Sequence, residues 1–191
     1  MSPVKRNYWQ GKLVRLRPMH VDDVKLWLEE ENYDSEAVHF LNAGMTLPKS
    51  EHDAHEFAKK YAEFNNNAER IMFSIETLDA ALIGGVNIHS MNHKNGTFET
   101  GSRIYSAYRG QGYGFDAKLL VLRYAFYEMR FQKYNIRCLA TNEPMIHHAQ
   151  RLGCKAEGRI RRHIYADGDY HDELIFGLTR EEFDELLKQV E

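Results

Sequence analysis

Six residues, Arg109-Gly-Gln-Gly-Tyr-Gly114, limit what this chain can fold into more than any other stretch. Thr97 to Tyr105, just before them, is rich in β-branched and aromatic residues and reads as a strand, while Phe115 to Arg130 reads as a helix. A strand, a glycine turn and a helix in that order leave backbone N–H groups without intrahelical partners at the positive end of a helix dipole, which suits one bound anion. The spacing Gly-x-Gly-x-Gly is not the dinucleotide pattern Gly-x-Gly-x-x-Gly, and no Gly-Lys-Ser/Thr follows it. Neither a dinucleotide fold nor a nucleotide P-loop is therefore indicated. Taken alone, the loop is equally what an ordinary tight turn looks like.

The flanking chain narrows the choice. Lys12 to Arg17 alternates polar and apolar residues as a half-buried strand does, and Pro18 ends its ladder. Val21 to Glu31 carries an apolar helical stripe, and Ser50 with Asp53 predicts the start of a second helix running to about Phe64. Phe40 to Pro48, aperiodic and containing Gly44, reads as a loop. Arg70–Glu76 and Ala81–His89 are strands, and Asn95-Gly96 turns the second into the strand that holds Glu99. After the glycine loop and its helix come a strand at Asn135–Ala140, a helix from Pro144 to Leu152 stopped by Gly153, and a hairpin about Asp167-Gly168-Asp169. Thr179 caps a last helix to Val190. With no repeats or linker-like tracts, the expectation is a single α/β (α+β) domain over residues 1–191, a mixed, mostly antiparallel sheet of about seven strands flanked by helices.

Composition excludes several classes. A hydrophobic fraction of 43% and a charged fraction of 28% are those of a globular protein, no apolar run approaches membrane-spanning length, and the first residues lack the apolar core of a signal peptide. A cytoplasmic protein without a membrane partner is expected. A net charge of −3 lacks the basic excess of a nucleic-acid binder. The acidic run Glu29–Glu36 and the basic run Arg159–His163 read as solvated surfaces in preference to a cationic-substrate mouth and an anion-facing strand. Cys138 and Cys154 read as reduced packing residues, and His52, His55, His89 and His93 form no recognisable ligand set, so no metal is expected.

Together, Gly11-Lys-Leu-Val-Arg-Leu-Arg-Pro18, Leu82-Ile-Gly-Gly-Val-Asn-Ile88, Arg109-Gly-Gln-Gly-Tyr-Gly114 and Asn142 ahead of Arg151-Leu-Gly-Cys154 resemble the GNAT superfamily of N-acetyltransferases. The resemblance is specifically to the branch that includes ribosomal-protein N-terminal and spermidine acetyltransferases, and it covers nearly the whole chain. It implies a single GNAT-like domain that moves an acetyl group from acetyl-CoA, as co-substrate, to a primary amine by direct transfer in a ternary complex. The acceptor would be a small-molecule amine or a protein N-terminus, and family members are often homodimers. The pyrophosphate is implied to lie on the N–H groups of Gln111, Gly112, Tyr113 and Gly114. The pantetheine arm would add to the strand edge at Ile104, Tyr105 and Ser106. Arg109 pairs either with phosphate or with the chain's own carboxylates, and Lys118 reads as part of a solvated helix face. Asn142 is implied to contact pantetheine and also suits a helix cap.

Attack of an amine on a thioester needs a base for the ammonium proton, and an acid helps the departing thiolate. Glu99, in Glu99-Thr-Gly101, is the candidate base, against the alternative of an edge-strand Glu that faces solvent or pairs with Arg103. The residues from which relatives draw the acid are absent: Ala149 stands where the spermidine branch has Tyr, and Met145 where the ribosomal branch has Ser. His147 and His148 read as polar surface in preference to acids, with Tyr108 and Tyr113 as further options. The alternative from another class is a non-catalytic acyl-CoA-binding sensor or interaction module of the same fold.

Overall fold

The computed structural model describes residues 7–34, 40, 47–62 and 69–190. Strands β1 (Val14–Pro18), β2 (Arg70–Thr77), β3 (Leu82–Asn92), β4 (Thr97–Ile104), β5 (Lys133–Leu139), β6 (Lys155–Ala166) and β7 (Asp169–Thr179) form one sheet in the order β1-β2-β3-β4-β5-β7-β6. Among the described residues only β4 and β5 run parallel. Among the described residues, helices α1 (Val24–Tyr33), α2 (Glu51–Ala62), α3 (Tyr113–Tyr127), α4 (Glu143–Arg151) and α5 (Arg180–Val190) flank it. The expected seven-strand mixed sheet is present. Phe40 is helical where a loop was expected, and the rest of that loop to Thr46, like Phe64 of the second helix, falls outside the described residues.

Side-chain alternation divides the helices between the two faces of the sheet. Phe73 and Ile75 of β2, Val86 and Ile88 of β3 and Phe98 of β4 join the main core, where Phe98 packs edge-on to Phe126 of α3 at 5.4 Å. Met72 instead meets the smaller cluster of Met19, Val24, Ala54 and Ala58 beneath α1 and α2 on the opposite face. Two predicted caps are formed: Ser50 Oγ accepts from Asp53 N at 3.1 Å, and Thr179 and Glu182 cap α5 reciprocally. No helix among the described residues is long and apolar enough to cross a membrane.

Candidate functional site

β4 and β5 pair only over Thr97–Glu99 opposite Lys133–Asn135. Beyond that point β4 stays with β3 as far as Ile104↔Gly84, while β5 stays with β7 as far as Leu139↔Glu173. Each strand follows its antiparallel partner, so the two part and leave a notch in the middle of the sheet. The glycine loop closes one side of it. Gly110 (φ 75°) and Gly112 (φ 90°) take left-handed conformations that cost other residues strain, and α3 begins at Tyr113. Phe115 and Asp116 N–H turn back to Gly112 O at 3.1 Å each, whereas the N–H groups of Gly110, Gln111, Gly112, Tyr113 and Gly114 donate to no described residue. Unspent donors at a helix start, beside an unpaired strand edge, fit a phosphate carried on an extended chain.

The end of α1 lies across the end of β4. Arg103 Nη2 donates to the carbonyl of Glu30, one of the exposed carbonyls at the helix C-terminus, and lies 3.6 Å from Asp34. Its Nε and Nη1 are buried without a hydrogen-bond partner among the described residues. The Glu30 carboxylate accepts from Ser106 N at 3.1 Å, and Arg109 binds Asp34 while its Nε donates to Ile104 O at 2.9 Å. Arg109 therefore pairs with the chain's own carboxylate in this state. The acidic run is the expected solvated surface only in part: Glu29, Asn32 and Tyr33 are exposed, Glu30, Glu31 and Asp34 are engaged with Ser106, Lys49 and Arg109, and Ser35 and Glu36 lie outside the described residues. Arg159, Arg161, Arg162 and His163 are exposed as expected.

Glu99 occupies the last paired position before the notch, with its side chain on the α1 face and His89 directly across from it on β3. It accepts no hydrogen bond from a described residue, and Arg103 is engaged with α1 rather than with it. Desolvation holds the Glu99 carboxyl above its ordinary range; Arg137 opposes this and the nearby Glu173 carboxylate reinforces it. Burial brings neutral His89 down to about 4, helped by Arg70 and Lys118. Asn142 is buried and caps α4, its Oδ1 accepting from Met145 N at 3.0 Å, while its backbone N–H donates to Leu139 O at the end of β5 at 3.0 Å.

Two expectations are corrected on the other face. Lys118 is not on a solvated face but fully buried, because nearly the whole circumference of α3 is covered by the sheet and its neighbours. His148 is not surface either: only His147 of the pair is exposed, and burial, with Lys118 and Arg151 nearby, pushes His148 down to about 3. Asp116 was missed altogether. It is buried in the first turn of α3 and accepts the N–H groups of Lys12, Leu13 and Val14 at 3.2, 2.8 and 3.0 Å. Among the described residues no group of three or more His, Cys, Asp or Glu is placed to hold a metal ion.

A mixed sheet parted at its centre, with a glycine loop and helix start beside the gap, defines the acetyltransferase class. The chain belongs to the acetyltransferase (GNAT) domain family, whose profile matches residues 14–155. It is 29% identical over 177 residues to the SPbeta prophage-derived uncharacterized N-acetyltransferase YokL of Bacillus subtilis (strain 168), covering 93% of this chain and 96% of that one. To the uncharacterized N-acetyltransferase YnaD of the same organism it is 25% identical over 173 residues, covering 86% and 99%. Its fold is shared by the ribosomal L7/L12 alpha-N-protein acetyltransferase RimL in complex with coenzyme A (TM-score 0.77, 15% identity, 88% of this chain and 95% of that one). It is likewise shared by the microcin C7 self immunity acetyltransferase MccE in complex with acetyl-CoA and AMP (TM-score 0.74, 17% identity, 88% and 93%). The chain is thus an N-acetyltransferase.

Proposed function

We propose that this chain, as one domain over residues 1–191, moves the acetyl group of acetyl-CoA directly to a primary amine in a ternary complex, with Glu99 as the base. The observation that carries the reading is a half-buried carboxylate, without a hydrogen-bond partner among the described residues, where β4 and β5 stop pairing. The co-substrate supplies an acyl group already activated as a thioester. Gln111, Gly112, Tyr113 and Gly114 would hold its pyrophosphate through backbone N–H groups. The edge at Ile104, Tyr105 and Ser106, with Asn142, would hold its arm, and Arg109 would exchange Asp34 for phosphate. Glu99, acting through a water, takes a proton from the acceptor ammonium and frees the lone pair for attack. Direct transfer is supported by the cysteines: burial pushes the Cys138 thiol up to about 11 and Cys154 to about 12, so neither supplies a thiolate to carry the acetyl group.

Thiol release from acetyl-CoA with a panel of polyamines, aminoglycosides and peptides with free N-termini tests the reading, and the fold shared with RimL puts the peptides in that panel. Release with one acceptor class supports transfer. Coenzyme A binding without release for any amine supports the sensor alternative instead. Glu30 gives a second check, because its carboxylate holds Ser106 N–H, which the arm would need. Glu30→Ala should tighten coenzyme A binding about two- to fivefold by calorimetry, the worth of one competing hydrogen bond. Unchanged or weaker binding would remove Ser106 from the cofactor edge.

A further inference from the structure

Lys118 sits where a lysine is unfavourable. Its side chain is fully buried, and its one hydrogen bond among the described residues is donated to Thr100 Oγ1. Thr100 is the first residue of β4 past the last pair with β5, Glu99↔Asn135, so the ammonium lies at the floor of the notch, on the α3 face. The Thr100 hydroxyl donates onward to Tyr134 OH at 2.9 Å, and Nζ is 5.7 Å from the Tyr134 ring. From α4, the same region receives Ala149, fully buried and without a proton to give, and His148, whose buried Nε2 has no hydrogen-bond partner among the described residues. An ammonium buried against a hydroxyl without a paired carboxylate weakens the fold, which marks a group kept for chemistry rather than for packing.

We propose that Lys118 is the proton donor to the coenzyme A thiolate released on acetyl transfer, in the place of the side chain that Ala149 lacks. The proposal rests on the acetyl-CoA reading above. As the carbon–sulfur bond breaks, its electron pair stays on sulfur and an Nζ proton moves there, leaving coenzyme A as the thiol and lysine as the neutral amine. The acceptor ammonium sheds two protons in becoming an amide. One restores the charge on Lys118 and the other reaches solvent through Glu99, so charge and protons balance.

Burial lowers Lys118 from 10.5 to about 7, which suits a donor at neutral pH. The titratable groups around it are His89 from β3, Tyr134 from β5, His148 from α4, and Cys154 just beyond, with Arg151 beside His148. Burial keeps both histidines neutral and pushes the Tyr134 hydroxyl and the Cys154 thiol upward. None of these four exchanges a proton near pH 7, so a limb there belongs to the lysine.

Lys118→Met keeps the volume and removes the charge. Wild-type kcat/KM should fall as pH rises through about 7, and the variant should be slower by on the order of 100-fold and lack that fall. A second measurement needs no turnover: Lys118 is titrated by the NMR signal of its isotope-labelled ε-carbon, with coenzyme A bound and with desulfo-coenzyme A bound. Facing the sulfur, Lys118 should titrate at about 7 with the thiol ligand and at a different pH with the ligand that lacks sulfur. The same Lys118 pKa with both ligands overturns the proposal even if Lys118→Met does not fold, as does a variant that keeps both full kcat/KM and the alkaline fall. Coenzyme A binding without release for any amine sinks the transfer reading instead, and the lysine titration still decides whether Lys118 faces the sulfur. No coenzyme A binding at all sinks both.

Discussion

Glu99→Gln is expected to lower kcat/KM by on the order of 100- to 1,000-fold, the range for loss of a general base, with the melting temperature unchanged or slightly raised. The two halves of this expectation have one cause. Desolvation raises the Glu99 pKa, so in the folded chain the ionised form is less favourable than in the unfolded chain. The folded state then binds more protons between the unfolded and folded pKa values, and the wild type loses stability as pH rises through that window. A neutral glutamine of the same shape removes this cost at neutral pH. Catalysis runs the other way: a base must be ionised, so wild-type kcat/KM should climb with pH through the raised Glu99 pKa, and the glutamine variant should lose that acid limb. The limb should lie above the ordinary 4.5 of a glutamate. Full kcat/KM in Glu99→Gln together with its loss in His148→Ala would move the base to the other face of the sheet. Retained activity with an unaltered acid limb would remove Glu99 from the chemistry altogether.

What the sequence made readable is what local rules govern. Alternation placed the strands, Ser50 and Thr179 declared their helix starts, and Asn95-Gly96 and Asp167-Gly168 marked hairpins, because each depends on residues only a few positions apart. The glycine loop was legible for the same reason. The misplaced acidic residues answer to distant partners. Glu30 meets Ser106 and Asp34 meets Arg109, pairs separated by 76 and 75 positions, and no local pattern brings them together. Lys118 failed for another reason. A lysine in a helix is ordinarily read as pointing to water, yet Asp116, Lys118 and Arg123 are the only charged residues between Gly114 and Tyr127. A helix that apolar is covered on most sides and has little solvent face to offer a lysine. That sparseness of charge was the available signal. A parted sheet also places polar ground inside the fold, which apolar periodicity does not report.

Asp116 carries the largest structural expectation. Its carboxylate takes three consecutive backbone N–H groups, those of Lys12, Leu13 and Val14, and so ties the start of β1 to the first turn of α3. A carboxylate in that first turn is also favoured by the helix dipole. Asp116→Ala leaves three donors without an acceptor, the one from Val14 in the interior. At about 1–3 kcal/mol for each buried unpaired group, and less for the two nearer the surface, the loss is about 3–4 kcal/mol. In a domain of this size that lowers the melting temperature by roughly 10 °C. Asp116→Asn should not rescue it, since half of the amide presents N–H groups to N–H groups. The opening motif enters here as well. A Cβ at Gly11 would collide with the Asp116 carboxylate, so Gly11→Ala should lose much of the same stability by displacing the acceptor rather than deleting it. Because the strut holds the helix that begins at the glycine loop, both variants should bind coenzyme A more weakly even below their melting temperatures. Thermal melts with coenzyme A titrations check this, and a drop of less than about 1 kcal/mol in Asp116→Ala would show that water replaces the carboxylate without loss.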